Sequence, residues 1–415
     1  MRIEKYSFGV GDRFSKEGEA QLQAVKQINE MGIDVVPVWN KSNREHKIIK
    51  TTHATVLDEA RNAVAKVGWQ KNYYVDADHI GMETVDEFID YSNFFTIDVA
   101  HFISKPGDDA SKSDFVKRHG RYVGKLAIPG IEAQFDVSGE FLARTADKYL
   151  SAVGEVAKIY NHLVSRKGEE NFIAEVSMDE TDHAQTPIDL FFILAELNYL
   201  GVKIQTIAPK FTGLFAKGID YIGNIQQFAT EFEQDVAVVK YATEALGLPD
   251  SLKLSIHSGS DKFSIYPAIR TAVQKLDAGL HIKTAGTTWL EEVIGLAKAG
   301  GRGLEIAKNI YSNALDRYDE LTGPYSSVLN IRRNQLPDAN KVNSWNSEQF
   351  VMALTHDKKC KTYNPDLRQL IHVGYKIAVE IGDEFSSALD EYRKIIAEQV
   401  RYNILERHLK PIFLK

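Results

Sequence analysis

The sequence of 415 residues contains one cysteine and no long apolar run. A single cysteine excludes a disulfide-stapled fold. Cys360 lies in a polar segment, so we interpret it as a bystander thiol. No stretch approaches the roughly 18 apolar residues that span a membrane, and the amino terminus lacks the apolar core of a secretory signal. We therefore expect a cytoplasmic protein.

Clustered positive charge is also scarce. Fifty Lys and Arg residues face 57 Asp and Glu residues, which gives a formal net charge of -7. Basic runs are no longer than two residues, such as Arg332 and Arg333. Nucleic acids and anionic membranes bind clustered positive surfaces, so neither is expected as a partner. A small-molecule substrate is expected instead, and a homo-oligomer is compatible with the composition.

Short β-branched and aromatic segments alternate with amphipathic helical stretches along the chain. Eight segments have this strand character, at 6–10, 34–39, 73–76, 94–99, 172–178, 203–208, 252–257 and 280–284. Alternation of this kind is typical of parallel strands joined by crossover helices. The pattern predicts an α/β fold, a (β/α)8 TIM-type barrel.

Two regions are additional to the eight strand–helix units of a minimal barrel. Residues 104–150 form an insertion after the fourth strand, too long for an ordinary crossover, and predict a lid or an extra helical layer. From Trp289 onward the pattern is helical, with helices expected at 304–321, 347–354, 366–379 and 385–409. We predict a catalytic barrel domain over 1–300 that includes the insertion, and a helical extension over 301–415 packed on the barrel.

Polar residues occur where active sites of such barrels lie, at the carboxyl ends of the strands. Period-two spacing places Glu175 with Asp179, His257 with Ser255, and His281 with Lys283 on one face of their strands. The opposite faces are apolar. The polar face is therefore predicted to line the lumen.

Three of these strand-end residues suggest a metal. His79, His257 and His281 follow different strands, and imidazole with nearby carboxylates suits Zn²⁺, Mn²⁺, Co²⁺ or Ni²⁺. Any single histidine among them could instead be a structural or substrate-binding residue. The three together predict a divalent metal cation.

An anion site is indicated where the last strand leads into a helix. Thr288 and Glu291 have the spacing of a capping box, and helix amino termini bind anions. Plain helix capping is the alternative. Lys262 and Lys283 nearby favour an anionic substrate group.

Nucleotide and nucleophile motifs are incomplete. Gly9 and Gly11 are followed by Phe14 where a dinucleotide fingerprint has its third glycine, so no nucleotide cofactor is expected. Ser258 and Ser260 lack the Gly-x-Ser-x-Gly context of a nucleophile elbow.

Five strings are distinctive in combination: Tyr-Tyr-Val-Asp-Ala-Asp-His at 73–79, Glu-Val-Ser-Met-Asp-Glu-Thr-Asp at 175–182, Gln-Thr-Ile-Ala-Pro-Lys-Phe at 205–211, and the segments 255–266 and 281–289. With them the chain resembles, over nearly its whole length, the tagaturonate epimerase family of bacterial hexuronate catabolism. The resemblance implies a divalent-metal-dependent isomerase that interconverts D-tagaturonate and D-fructuronate.

These two sugar acids differ at a carbon that is β to the ketone and β to the carboxylate, so simple proton removal there is difficult. Transient oxidation by NAD and retro-aldol cleavage are the remaining routes. The incomplete fingerprint disfavours NAD. A metal held by the three histidines would stabilise the enediolate of a retro-aldol route as a Lewis acid.

Retro-aldol chemistry needs a base and an acid, for which we predict Asp78 and Glu175. Asp179 or Glu180 could replace Glu175, which could itself be a metal ligand. Asp78 could instead cap a loop.

Three lysines, Lys210, Lys262 and Lys283, are candidates for the substrate carboxylate or for structural ion pairs. A sugar-acid aldolase or an aldose-ketose isomerase would use the same enediolate chemistry. A non-catalytic sugar-acid-binding protein is a third hypothesis, which the many lumen carboxylates disfavour because buried carboxylates cost stability.

Overall fold

A computed structural model describes residues 1–105, 107–284 and 286–414. Pro106 of the predicted insertion, Ala285 of the predicted anion-binding turn and Lys415 of the predicted extension lie outside the described residues. The strands are β1 (Tyr6–Val10), β2 (Val35–Ser42), β3 (Tyr74–Ile80), β4 (Phe94–Asp98), β5 (Gly124–Leu126), β6 (Phe135–Val137), β7 (Ile173–Ser177), β8 (Thr206–Ala208), β9 (Lys253–His257) and β10 (Leu280–Lys283).

Eight of these strands close into a parallel barrel. Their order is β1-β2-β3-β4-β7-β8-β9-β10, with β10 pairing back to β1, while β5 and β6 form a separate antiparallel hairpin. The predicted TIM-type barrel is confirmed, and each of the eight predicted segments overlaps a barrel strand. β2 and β3 run past their predicted ends at 39 and 76, which carries Asp78 and His79 onto a strand.

The helices that flank the barrel and its insertion are α1 (Gly18–Glu30), α2 (Asn43–Ile49), α3 (Ala54–Val67), α4 (Val85–Phe88), α5 (Asp109–His119), α6 (Gly139–Lys167), α7 (Pro187–Tyr199), α8 (Ile225–Leu246), α9 (Tyr266–Lys275) and α10 (Thr287–Ala299). Several begin at side-chain caps. Thr186 and Asp189 form a capping box at α7, and Asn224 caps α8. Among the described residues no helix is both long and apolar enough to cross a membrane.

The tail helices are α11 (Gly301–Asp316), α12 (Tyr318–Thr322), α13 (Ala339–Asn343), α14 (Ser347–Leu354), α15 (Pro365–Val373), α16 (Tyr375–Ile381), α17 (Asp383–Glu391), α18 (Arg393–Tyr402) and α19 (Lys410–Phe413), with a π-helical segment at Asn403–Leu409. Three of the four predicted helices are interrupted, at Arg317, Gly374 and Tyr392. The tail covers the barrel because α18 packs against α1 and α10, and α19 packs against α9.

The insertion lies outside the mouth of the barrel. α5 packs on α6, and Arg118 and His119 at its end both bond to Glu196 of α7. None of the described residues between 104 and 150 lines the central cavity. In the described residues this segment packs as a helical layer on α7, and its role stays a prediction.

Apolar packing closes the amino-terminal end of the barrel. Ile3, Val38, Tyr74, Phe94 and Ile173 are among the residues of a small buried cluster there, separate from the main core between the sheet and its helices. The lumen is therefore sealed at one end, and its polar residues open only toward the carboxyl ends of the strands.

Candidate active site

A cavity of about 710 Å³ opens at the carboxyl ends of the strands. Its lining combines strand-end residues with residues of the loops and the tail. They include Arg13, Arg44, Asp78, His79, Asp98, Asp179, Glu180, Lys210, Lys217, His257, Gly286, Lys283, Tyr325, His372 and Tyr375. The site predicted for this end of the barrel thus coincides with a real concavity.

Carboxylates are concentrated along one part of the cavity lining and directly beneath it, and we call this group the acidic floor. Its members come from β3, β4, β7 and the residues just after β7. They are Asp76, Asp78, Asp98, Glu175 and Asp179.

A single lysine lies at the centre of this floor. Lys283 Nζ is 2.7 Å from Asp76 Oδ2 and 3.5 Å from Glu175 Oε1, and it also pairs with Asp78. Burial alone would lower the pKa of Lys283, but these carboxylates raise it well above its ordinary value. Lys283 is therefore a permanent cation, and its partner Asp78 remains a carboxylate.

His79 owes its position to an irregular strand end. The pairing of β3 with β4 shifts register between Ala77 and Ile80, and His79 has a φ of 54°, which is uncommon outside glycine. As a result the neighbours Asp78 and His79 both line the cavity, whereas a regular strand would turn them to opposite faces. Such local strain is frequent at functional sites.

Two histidines are each oriented by a carboxylate. His79 Nδ1 donates to Asp98 Oδ2 at 3.2 Å, and His257 Nε2 donates to Glu175 Oε1 at 2.8 Å. The second nitrogen of each ring, Nε2 of His79 and Nδ1 of His257, is left for another partner. Carboxylates commonly orient metal-binding histidines in this way.

Asp179 completes a three-residue cluster with these histidines. Ligand atoms of His79, Asp179 and His257 lie within 4.8 Å of one another. His257 Nδ1 is buried and 3.3 Å from Asp179 Oδ1, but it makes no hydrogen bond. Two imidazoles and one carboxylate form a donor set that fits the predicted divalent metals.

The charges of the floor also favour a cation. Burial would lower the pKa of His79, yet Asp78 and Asp98 raise it to about 10. Asp179 and Glu175 likewise overcome burial and raise the pKa of His257 to about 9. The same field that holds these protons attracts a metal ion, which must displace them to bind.

The third predicted metal ligand lies elsewhere. His281 is two residues before Lys283 on the same face of β10, fully buried, and its Nδ1 bonds to Ser7 Oγ at 2.9 Å. It is not part of the cluster, because the strand carries it deeper into the lumen. Burial lowers the pKa of His281 to about 3, so its imidazole is neutral.

Glu175 is also placed below the cavity surface. It is fully buried, accepts hydrogen bonds from His257 and Thr96, and does not line the cavity. Burial would raise its pKa, but Lys283 and His257 hold the pKa well below the ordinary value. The geometry suits orientation of His257 rather than contact with a substrate, whereas Glu180 lines the cavity.

The three predicted carboxylate-binding lysines have different surroundings. Lys262 is fully buried outside the cavity lining, and its Nζ donates to Ala216 O and Ile219 O. Its ammonium holds a loop together and is out of reach of a ligand. Lys283 is saturated by carboxylates. Only Lys210 lines the cavity without an ion pair among the described residues.

The helix that follows β10 begins differently from the prediction. α10 starts at Thr287, its N-cap is Gly286, and no side chain caps it. The expected capping box is wrong, because the Thr288 hydroxyl accepts from Gln21 and Glu291 accepts from Gln399. Of the amino terminus of α10, Gly286 lines the cavity.

Gly9, half of the incomplete dinucleotide motif, has a steric explanation. A Cβ at Gly9 would lie 2.8 Å from Lys283 Cγ. Glycine is needed at this position because the aliphatic part of the Lys283 side chain packs against it. This contact accounts for Gly9 without a bound nucleotide.

Comparison with known proteins agrees with the geometry. A sequence model of the tagaturonate epimerase family matches residues 1–412. The chain belongs to the tagaturonate epimerase family. The suspected resemblance is thereby confirmed, and so is the prediction of an isomerase-class enzyme, an epimerase.

Individual members of the tagaturonate epimerase family are similar along the whole chain. The tagaturonate/fructuronate epimerase of Thermotoga maritima is 29% identical over 419 residues, covering 97% of this chain and 80% of that protein. A glycerol-complexed crystal structure of fructuronate-tagaturonate epimerase from Cohnella laeviribosi has a TM-score of 0.83 and 25% identity, covering 99% of this chain and 82% of that one. Its native crystal structure gives a TM-score of 0.82.

Some lining residues of this family member were not singled out from the sequence. Asp98 was not among the predicted site residues, although its bond to His79 could have been inferred from the adjacent strands β3 and β4. Arg13, Lys217 and His372 carried no local motif. Their position in the cavity depends on loops and on α15, which sequence periodicity does not locate.

Proposed function

We propose that this chain interconverts D-tagaturonate and D-fructuronate with a divalent metal held by His79, Asp179 and His257. The observation that carries the proposal is this cluster, in which each histidine is oriented by a carboxylate. A metal so placed supplies Lewis-acid stabilisation of negative charge on the substrate oxygens. The family match supports an epimerase that acts on tagaturonate, and the name of the Thermotoga maritima relative adds fructuronate.

The reaction is proposed to proceed by retro-aldol cleavage and re-addition. A base removes the proton from the hydroxyl on the epimerising carbon, and that oxygen becomes an aldehyde carbonyl. The neighbouring C–C bond breaks, and its electron pair passes toward the ketone to give an enediolate. Rotation of the aldehyde and reversal of these steps form the bond on the opposite face.

Two carboxyl groups that line the cavity perform the proton transfers in this proposal. Asp78 lines the cavity as a carboxylate paired with Lys283 and takes the hydroxyl proton. Lys283 provides a buried positive charge near the developing anion. Glu180, which also lines the cavity and has no ion pair among the described residues, is the partner acid. Glu175 acts through His257 as a positioning residue.

The decisive experiment follows the substrate by NMR. The protein is incubated with D-tagaturonate and Mn²⁺ or Zn²⁺ in D₂O. We expect D-fructuronate without carbon-bound deuterium at the epimerised carbon, and loss of activity after EDTA treatment that added metal restores. Deuterium at that carbon would refute the retro-aldol route, and accumulation of two three-carbon products would identify an aldolase.

Asp78→Asn separates chemistry from metal binding. The amide is isosteric but cannot accept the proton, so we expect turnover to fall by about 10³-fold while the metal content per chain is unchanged. A normal rate in this variant would remove Asp78 from the mechanism.

A further inference from the structure

Another part of the cavity lining carries basic residues, and we call it the basic wall. It consists of Arg13, Arg44, Lys217 and His372. None of the four was proposed above for metal binding or proton transfer. Together with Gly286 at the amino terminus of α10, they form the part of the cavity suited to an anion.

Aromatic faces hold much of this charge. The Arg13 guanidinium stacks 4.4 Å from the centroid of the Tyr375 ring. Arg44 and Lys217 both lie over Tyr325, at 5.6 and 5.5 Å. A cation that lies over an aromatic face keeps its N–H donors free. A carboxylate partner would instead accept hydrogen bonds from them.

Few donors of the wall are used within the protein. Arg13 pairs with Glu45 at 3.0 Å, yet its Nη1 is buried without a partner. Among the described residues neither Arg44 nor Lys217 forms an ion pair within 4 Å. Positive charge therefore remains available toward the cavity, in contrast to Lys283 in the floor.

His372 is the most informative member of the wall. It is 1% exposed, lines the cavity, and has no hydrogen-bond partner at either ring nitrogen. A buried polar group without a partner is costly unless a ligand or water completes it. Burial and the charges of Arg13 and Lys217 hold the pKa of His372 well below its ordinary value. The ring is therefore neutral and has one N–H that could be donated to a ligand.

The ring of His372 lies against the start of α10. A Cβ at Gly286 would be 2.4 Å from His372 Cε1 and 2.2 Å from Gly259 O, so only glycine permits this approach. Gly259 follows His257 by two residues. The helix amino terminus, the unpartnered imidazole and the loop after a proposed metal ligand therefore meet at one place.

We infer that the basic wall binds the carboxylate of the sugar-acid substrate, with His372 and Lys217 as its specificity-determining residues. The inference rests on the proposed function and replaces Lys210, Lys262 and Lys283 in this role. The ketone end of the substrate then faces the acidic floor. In the retro-aldol route the aldehyde fragment carries the carboxylate, so the wall retains this fragment while its carbonyl rotates.

The test compares an acid with its neutral counterpart. For the wild type, Lys217→Met and His372→Phe, kcat/KM is measured with D-fructuronate and with D-fructose, which has a CH₂OH group in place of the carboxylate. We expect each variant to lose about 30-fold or more with the acid and to change less than about threefold with the neutral ketose. Lys210→Met is expected to retain the preference for the acid.

Other results would overturn the inference. Equal losses with both substrates would show a structural role, and an unchanged acid preference in both wall variants would exclude the wall. Loss of the preference in Lys210→Met would assign the carboxylate to Lys210. Thermal melting of each variant verifies folding.

A binding measurement keeps the test independent of turnover. The affinity for D-galactonate, a sugar acid without a ketone, is compared with that for galactitol by calorimetry. We expect only the acid to lose affinity in the wall variants, and equal affinities in wild type and variants would refute the inference. If the wild type failed to interconvert the two ketouronates, the proposed function would be refuted. The affinity comparison would still test whether the basic wall binds a carboxylate.

Discussion

The carboxylates of the acidic floor lie on barrel strands or directly after them, whereas the basic wall comes from loops, from α2 and from a helix of the tail. In the floor, the one lysine is surrounded by acids, and negative charge is in excess. In the wall, Arg44 and Lys217 are held by Tyr325, and positive charge is in excess. One cavity thus combines a negatively charged region and a positively charged region, which we propose as the sites of a cation and of an anion.

This division matches a substrate with two different ends. A ketone beside hydroxyl groups suits a Lewis acid, and a carboxylate suits N–H donors. Separate sites also allow the two ends to be tested independently. A variant in the floor should affect metal binding, and a variant in the wall should affect recognition of the acid.

The largest effect is expected for Asp179→Asn. Loss of the anionic ligand should lower metal content below one ion per chain and reduce turnover by about 10³-fold or more, because Lewis-acid stabilisation is lost. Metal analysis of the purified protein and initial rates provide the measurement. Affinity for D-galactonate should change less than about threefold, since the wall is intact.

Asp34→Asn is a matched control for this variant, because Asp34 pairs with Lys71 on the surface. Full metal content and a normal rate in Asp179→Asn would remove this residue from the proposed metal site.

An intermediate effect is expected for Glu175→Gln. The amide no longer accepts a charge-assisted bond from His257, so the metal dissociation constant should rise by about 10- to 100-fold. Competition with a chelator measures it, and excess metal should restore most of the rate. Glu233→Gln, at a surface glutamate paired with Lys275, is the control.

Glu175→Gln also distinguishes the two roles considered for this residue. If metal affinity were normal and turnover were lost even at saturating metal, Glu175 would be the proton-transfer group predicted from the sequence.

The smallest effect on turnover is expected for a buried acid outside the cavity, where the substitution changes stability instead. Glu17 is 1% exposed, and burial with the neighbouring carboxylate of Asp12 raises its pKa to about 8. The native state retains this proton up to about pH 8, whereas the unfolded chain loses it near 4.5. The stabilisation is therefore complete below about pH 4.5 and is lost as the pH rises through about 8.

Glu17→Gln should reduce this pH dependence. For one proton the slope is at most about 1.4 kcal/mol per pH unit, so the variant should gain stability relative to wild type as the pH rises from 5 to 8. Urea unfolding at several pH values measures the difference. A constant difference across this range would show that Glu17 does not titrate with a raised pKa.

Barrel strands were predictable because their β-branched and aromatic segments recur between amphipathic helices. The lumen face was predictable for the same local reason, since alternation of side chains placed Glu175, His257 and Lys283 together. The strand irregularity at His79 was not predictable. It arises from the mismatch of β3 with β4 and brings Asp78 and His79 to the same side.

Depth along the lumen could not be predicted from the sequence. Sequence spacing shows that His281 and Lys283 share a face but not which of them reaches the cavity. Ser7 on β1 bonds to His281 and keeps it below the floor. Lys262 was misplaced for a related reason, because its carbonyl partners Ala216 and Ile219 belong to a distant loop.

The amino-acid sequence by itself determined the barrel, the family and the strand-end residues that carry charge, because periodicity and motifs are local properties. Tertiary structure alone decided which charges are already neutralised and which face the cavity. His372 lies more than 80 residues beyond the last barrel strand, yet packing of α15 brings it to Gly286. Such a contact has no local signature, since it depends on the complementary shapes of elements far apart in the chain.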